Sequence, residues 1–167
     1  MIDNQGRWVD EDGGSRGVSS SKDLAHLIAM RRRADVIVTS GKTARDNRYK
    51  PAQRDLVVIT RQSASSFPLL QDGRVRFVSG DVVAIIKDLE AKYDSVLIEF
   101  GPLLLEQCIA AGLIDEILVS VTGVCTYDKA IKGLSHLPFN ISEFENKPIL
   151  LEEDFKLFQM TRPRRGT

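Results

Sequence analysis

Asp94 to Val121 reads DSVLIEFGPLLLEQCIAAGLIDEILVSV, and this stretch decides the fold. Val96, Leu97 and Ile98 form a short apolar run suited to a strand covered on both faces. The run ends in Glu99-Phe100-Gly101-Pro102, and proline fits the first turn of a helix, so a helix begins at once. Such a turn exposes backbone N–H groups and the positive end of the helix. Phosphate groups bind well there, and Gly101 lets a ligand approach the backbone closely. Glu99 adds a carboxylate able to accept hydrogen bonds from a polar heterocycle or a sugar hydroxyl; its plainer reading is a surface carboxylate. After the helix, Leu113 to Val121 reads as the next strand.

The same grammar holds upstream. Val36-Ile37-Val38 is a strand, Thr39 to Thr43 a strand-to-helix turn, and Leu56 to Ile59 a strand ending at Thr60-Arg61. Val75 to Val78 is a short strand, and Asp81 caps a helix in which Val82, Ile85, Ile86 and Leu89 recur at helical spacing. Ser19 or Ser20 caps an earlier amphipathic helix carrying Leu24, Leu27, Ile28 and Met30, which ends in the solvated basic run Arg31-Arg32-Arg33. Downstream, residues 123–147 show no clear period, while Ile149 to Leu151 and Phe155 to Met160 suggest closing strands. Strands alternating with helices predict an α/β three-layer sandwich, its sheet mixed but mostly parallel, with antiparallel C-terminal strands. The whole of 1–167 is expected to be one domain, with 1–18 a loop and 162–167 a loose tail. Ligands of such sheets bind outside the carboxyl ends of the strands, where Thr39 to Thr43, Thr60 to Ser63 and Glu99 to Pro102 all fall.

Composition excludes several classes. Lys plus Arg and Asp plus Glu are both 23, so no global field calls for nucleic acid or an anionic membrane. Two cysteines, Cys108 and Cys125, give neither a disulfide framework nor a metal spacing and read as reduced and structural. No apolar run approaches the ~20 residues of a membrane span, and MIDNQGRWVDEDGG has no signal-peptide core, so a cytoplasmic protein is expected. His26 and His136 have no partner suggesting a triad or a metal site, and no metal is expected.

Two loops carry further chemistry. TSGKT at 39–43 echoes the end of a Walker A loop, but the upstream glycine would fall at Asp35 or Val36, inside a strand. Gly41, Lys42 and Thr43 still offer backbone donors, a cation and a hydroxyl suited to a diphosphate, or else form a plain turn and cap. Thr60 and Arg61 pair a hydroxyl with a guanidinium, as a monoester phosphate such as the 2′-phosphate of NADP requires.

Residues 13–60, GGSRGVSSSKDLAHLIAMRRRADVIVTSGKTARDNRYKPAQRDLVVIT, and 98–123, IEFGPLLLEQCIAAGLIDEILVSVTG, together resemble the reductase domain of the riboflavin-biosynthesis deaminase-reductases, especially the stand-alone actinobacterial-type pyrimidine reductases. The first block matches a serine-capped helix, an Ala-Asp before the strand, Gly-x-Thr with an Arg, and Tyr-x-Pro. The second matches a Glu-(Gly or Ala)-Gly-Pro turn, a helix, Ala-Gly-Leu and Asp-Glu before a strand. The resemblance implies a dihydrofolate-reductase-like fold that binds NADPH and reduces the ribosylamino group of a phosphorylated aminopyrimidine to ribitylamino. By position, Gly41, Thr43 and the turn Phe100-Gly101-Pro102-Leu103 would hold the cofactor's phosphates, Thr60 and Arg61 its adenosine ribose phosphate, and Glu99 the substrate. It also implies a homodimer, with Ile117-Leu118-Val119 and Phe155 to Met160 as apolar rows in need of cover.

The chain departs from the family pattern in places. Met1 stands almost directly before Ile2-Asp3-Asn4-Gln5-Gly6, which matches the family's Ser-x-Asp-Gly segment, so the strand ahead of that segment is expected to be missing. Gln5 stands where the family has an aspartate before the glycine, leaving Asp3 as the substrate-side carboxylate. Phe100 replaces a small residue, and Asn47 an acidic one. Two alternatives follow: the dihydrofolate reductase branch of the same fold, whose first helix here would offer only Asp23, and a non-catalytic nucleotide-binding or dimerisation module that has lost the substrate site.

Overall fold

The computed structural model describes residues 1–8, 16–46, 49 and 54–163; Gly13, Gly14, Asn47, Pro51 and the Arg164-Arg165 end lie outside the described residues. The elements run β1 (Ile2–Asp3), α1 (Ser21–Arg33), β2 (Val36–Ser40), α2 (Gly41–Asp46), β3 (Asp55–Ile59), β4 (Val75–Val78), α3 (Val82–Glu90), β5 (Val96–Glu99), α4 (Pro102–Ala110), β6 (Glu116–Thr122), α5 (Tyr127–Leu134), β7 (Glu145–Leu151) and β8 (Phe155–Thr161). Helix starts follow the sequence signals. Asp81 Oδ1 accepts from Ala84 N at 2.8 Å, Ser20 Oγ from Asp23 N at 3.2 Å, and Pro102 opens α4.

The chain divides into two units. Leu27–Leu113 forms one of them, around a sheet ordered β4-β3-β2-β5 in which every pairing is parallel. Val36, Val38, Val57 and Val58 are fully buried, as the strands of a parallel sheet covered on both faces must be. Ile37, Ala44, Tyr49, Leu56, Val58, Phe67 and Leu70 form one core cluster. Each fully buried aliphatic side chain contributes about 1.5–3 kcal/mol of transfer free energy. Cys108 is buried, and that burial, reinforced by Glu90 and Asp81, pushes its thiol from 9.0 up to about 11; Cys125 is half-buried and also unbridged.

The second unit, 1–26 with 114–167, holds the order β1-β6-β8-β7. Here β1 runs parallel to β6, while β6–β8 and β8–β7 are antiparallel, in line with the expected C-terminal strands. Thr122 Oγ1 donates to Val18 O at 2.5 Å, and Lys156, a buried lysine, is satisfied by the carbonyls of Glu152 and Glu153.

The described strands fall into one all-parallel and one mixed four-stranded sheet, in line with the expected α/β class. Four expectations change. The 1–18 segment is not all loop: Ile2 and Asp3 are strand residues and buried. Residues 123–147 contain α5, capped by Thr126 at Lys129 N (3.3 Å). Its buried face uses Ala130 and Gly133 beside Leu134, and small residues carry little hydrophobic signal. The start of the expected loose tail is fixed, since Arg162 N donates to Asp115 O at 2.8 Å and its guanidinium lies 5.0 Å over the Phe144 ring. Finally, Ile117, Val119, Phe155, Leu157, Phe158 and Met160 are buried, because β6 and β8 are interior strands of their sheet. Within the described strands of this sheet, the exposed large apolar residues are instead Ile149, Leu150 and Leu151 of the edge strand β7.

Candidate functional site

Because β2, β3 and β5 are parallel, the loops that follow them leave the sheet at the same edge. Thr39 to Thr43, Thr60 to Ser63 and Glu99 to Pro102, the three loops singled out from the sequence, therefore lie along one edge of this sheet. The three loops differ in how much of their polar capacity the protein itself consumes.

The loop after β2 is closed on itself. Ser40 Oγ accepts from Thr43 N at 3.1 Å and lies 2.9 Å from Thr43 Oγ1, which caps the short helix α2 internally. Lys42 pairs with Asp46 one turn on. Gly41 is buried, and a Cβ there would lie 2.7 Å from Thr60 Oγ1 and 3.2 Å from the Phe67 ring. Glycine is thus required at 41 by the protein's own packing.

The loop after β5 is open. Gly101 is the N-cap of α4 with φ −69° and ψ 166°, a conformation any residue adopts, and it offers no side-chain cap. The first bond into the helix is Leu105 N to Gly101 O at 3.2 Å, so the N–H groups of Leu103 and Leu104 find no acceptor among the described residues. A Cβ on Gly101 would meet nothing within 4 Å. Phe100 is half-buried and Leu103 is exposed. Unpaired donors, a helix dipole and empty space in front of them fit an anionic group such as a diphosphate.

The loop after β3 is basic. Thr60 N donates to Val78 O at 2.8 Å, and Thr60 Oγ1 accepts from Gln62 N at 3.1 Å, which fixes the turn. Arg61 is exposed and has no ion-pair partner among the described residues. Arg45 of α2 donates to Gln62 and lies 5.4 Å over the Phe67 ring, and Ser63 Oγ lies 2.7 Å from Ser65 Oγ.

Glu99, the carboxylate singled out from the sequence, is not free. Arg31 Nε donates to Oε1 at 2.7 Å and Nη2 to Oε2 at 2.6 Å, a two-pronged grip, while Thr39 Oγ1 donates to the Glu99 carbonyl at 3.0 Å. The Arg31 guanidinium lies 4.5 Å over the ring of Tyr49, which is buried and whose hydroxyl has no hydrogen-bond partner among the described residues. Arg31 and Tyr49 are the residues that sequence reasoning missed. Arg31 stands in a run of three arginines that reads as a solvated helix end, and nothing in the chain ties it to a glutamate 68 positions later.

Asp3, in the other unit, is likewise engaged. Its Oδ1 accepts from Gln5 N at 2.8 Å and Arg7 N at 2.9 Å, and its Oδ2 from Arg7 Nε at 2.7 Å. Burial pushes its carboxyl up, but the Arg7 and Gln5 donors outweigh that and hold it below the usual carboxylate range. Gln5 contributes its backbone N–H to this turn. Among the described residues no three His, Cys, Asp or Glu side chains group to hold a metal, and no helix is long and apolar enough to cross a membrane.

No family model and no curated protein matches the chain. Solved structures do. A dihydrofolate reductase from Enterococcus faecalis, complexed with NADP(H), superposes with a TM-score of 0.65 at 19% identity, over 96% of this chain and 92% of its own. The fold is that of dihydrofolate reductase. The same dihydrofolate-reductase-like fold is shared with a pyrimidine reductase-like protein from Corynebacterium diphtheriae (TM-score 0.65, 16% identity, 93% of this chain and 86% of that one). It is also shared with a diaminohydroxyphosphoribosylaminopyrimidine deaminase/5-amino-6-(5-phosphoribosylamino)uracil reductase from Thermotoga maritima (TM-score 0.68, 15% identity), of which this chain spans 54%.

Proposed function

We propose that the chain is an NADPH-dependent reductase of the riboflavin-pathway type, converting the ribosylamino group of a phosphorylated aminopyrimidine to ribitylamino. The observation that carries this reading is the open amino end of α4, where the donors of Leu103 and Leu104 and the space at Gly101 lie at the same edge of the sheet as the basic turn after β3. In this reading Phe100-Gly101-Pro102-Leu103 holds the cofactor's diphosphate, with Gly41 and Thr43 shaping the neighbouring wall. Thr60 and Arg61 hold the ribose phosphate. NADPH, when bound, supplies the hydride; the protein's part is to orient donor and acceptor. Glu99, held by Arg31, has lone pairs left over from the grip with which to accept from a substrate hydroxyl. Asp3 serves through the 3–7 turn it organises. The structural neighbours include a reductase of that type and an NADP(H)-bound dihydrofolate reductase, which supports the cofactor class.

The test is a titration with NADPH and NADH, followed by nicotinamide fluorescence or Trp8 quenching, in the wild type and in Arg61→Ala. The expected result is tighter binding of NADPH, with the preference reduced about tenfold or more in the variant, as loss of a charge-assisted contact implies. Binding of neither cofactor would overturn the reading. A second reading, a nucleotide-binding module without catalysis, is favoured by the engagement of both Glu99 oxygens; cofactor binding without oxidation of NADPH by any pyrimidine substrate would select it.

The protein is further proposed to be a cytoplasmic homodimer whose subunits meet at β7. The outer edge of β7 is unpaired among the described strands and presents Ile149, Leu150 and Leu151. Sedimentation velocity at low micromolar concentration should show a dimer, and Leu150→Lys should convert it to a monomer; a monomeric wild type would overturn the dimer.

A further inference from the structure

β6 has one complete side. It pairs with β8 along its whole length, Glu116 to Thr122, whereas on its other side β1 meets only Val121 and Thr122. Along Glu116 to Ser120 no described strand takes that second edge. Alternate residues of a strand turn their N–H and C=O groups to the same side, so part of this backbone is left without a ladder partner. The side chains are nevertheless those of an interior strand. Ile117 and Val119 are buried on one face, and Ser120 is buried and Leu118 half-buried on the other.

The far rim of the same sheet is built differently. There β7 carries Lys147 and Pro148, and its register to β8 shifts between Pro148 and Leu150. Lysine, proline and an irregular register discourage the addition of a further strand, though not the packing of side chains. Between Glu116 and Ser120 there is no lysine and no proline, and the register to β8 is unbroken. Continuity with β1 says what fits this edge. β1 is parallel to β6, with Ile2 against Val121 and Asp3 against Thr122, so Met1 holds the position opposite Ser120. At about 3.3 Å per residue, roughly four residues ahead of Met1 would reach the position opposite Glu116. A strand of another molecule running in that direction would have to end against Met1 in mid-ladder; one joined to Met1 would not.

We propose that the open edge of β6 seats one more parallel strand, joined to the amino end of β1 and carrying apolar side chains opposite Ile117 and Val119. It would lengthen β1 beyond its two residues and so steady the turn that Asp3 organises. The inference is independent of the reductase reading.

The experiment compares the 167-residue chain with forms carrying Thr-Val-Thr-Val, Gly-Ser-Gly-Ser or Thr-Pro-Pro-Val directly ahead of Met1. Hydrogen exchange is resolved at Glu116–Ser120, and thermal unfolding is measured in parallel. In the unextended chain the amides of this stretch that do not donate to β8 should exchange as exposed amides do. Thr-Val-Thr-Val should slow them about tenfold or more and raise the unfolding temperature. Gly-Ser-Gly-Ser should do neither, and nor should Thr-Pro-Pro-Val, since one of two successive prolines must face β6 and cannot donate. Equal behaviour of the Thr-Val-Thr-Val and Gly-Ser-Gly-Ser forms would overturn the inference, as would a Thr-Val-Thr-Val form that does not fold. Slow exchange of all these amides in the unextended chain would mean that the edge is already covered, and would overturn it too. Protection by free acetyl-Thr-Val-Thr-Val peptide equal to that in the joined form would overturn the assignment to a strand continuous with β1.

Discussion

Gly101→Val is expected to abolish most cofactor binding, at least about tenfold in the NADPH dissociation constant, while leaving stability within about 1 kcal/mol of wild type. The reason is that nothing among the described residues uses the space at Gly101. Its φ of −69° suits any residue, and a Cβ there contacts no atom within 4 Å. The isopropyl group of valine would stand in front of the N–H groups of Leu103 and Leu104, where the diphosphate is proposed to lie. Gly41→Ala supplies the opposite case. The added Cβ would fall 2.7 Å from Thr60 Oγ1 and 2.8 Å from Thr60 Cβ, an overpacking that costs about 1–3 kcal/mol. Thermal unfolding and NADPH titration on both variants separate the two roles. If Gly101→Val binds NADPH as wild type does, the α4 turn is not the phosphate site.

Arg31→Ala is expected to destabilise the protein by about 2 kcal/mol, between the values typical of exposed and of buried ion pairs. The Arg31 side chain is 26% exposed and that of Glu99 only 11% exposed, so truncating the arginine strands a carboxylate that water reaches poorly. It also removes the cation from the Tyr49 ring. The double variant Arg31→Met with Glu99→Gln should recover most of the loss, because no uncompensated charge remains. Urea denaturation of the single and double variants measures both numbers. A single variant as stable as wild type would mean that the grip seen between Arg31 and Glu99 contributes nothing in solution. A double variant no better than the single would place the cost in lost packing rather than in the stranded charge.

The strands that line the proposed cofactor site were legible because they are apolar runs with abrupt polar ends: VIV before Thr39, LVVI before Thr60, VLI before Glu99. A parallel sheet buried on both faces demands such runs. Helix starts were legible where a cap or a proline marks them, as at Asp81 and Pro102. What escaped detection was long-range or made of small residues. α5 hides its buried face in Ala130 and Gly133. The grip on Glu99 comes from an arginine in a different element, one of three in a row, and local pattern does not choose among them. Gly41 and Gly101 look alike in the sequence, each a glycine between a strand and a helix. Only the neighbours distinguish them, since Thr60 and Phe67 fill the space at one and nothing among the described residues fills it at the other. The division of the strands into two sheets was also not legible, because apolar runs identify strands but not the partner each one takes.

The way the two units take their residues from the chain sets the order in which they can be completed during synthesis. Leu27–Leu113 is a single uninterrupted segment, and all four strands of its sheet are in hand once Glu99 has been added. The other unit draws on residues 1–26 and 114–167, and its interior strand β8 is not finished until Thr161. Ile2 and Asp3 are made more than a hundred residues before β6, the strand they pair with. At typical elongation rates of about 5–20 residues per second, that leaves β1 without its partner strand for seconds while the middle of the chain folds.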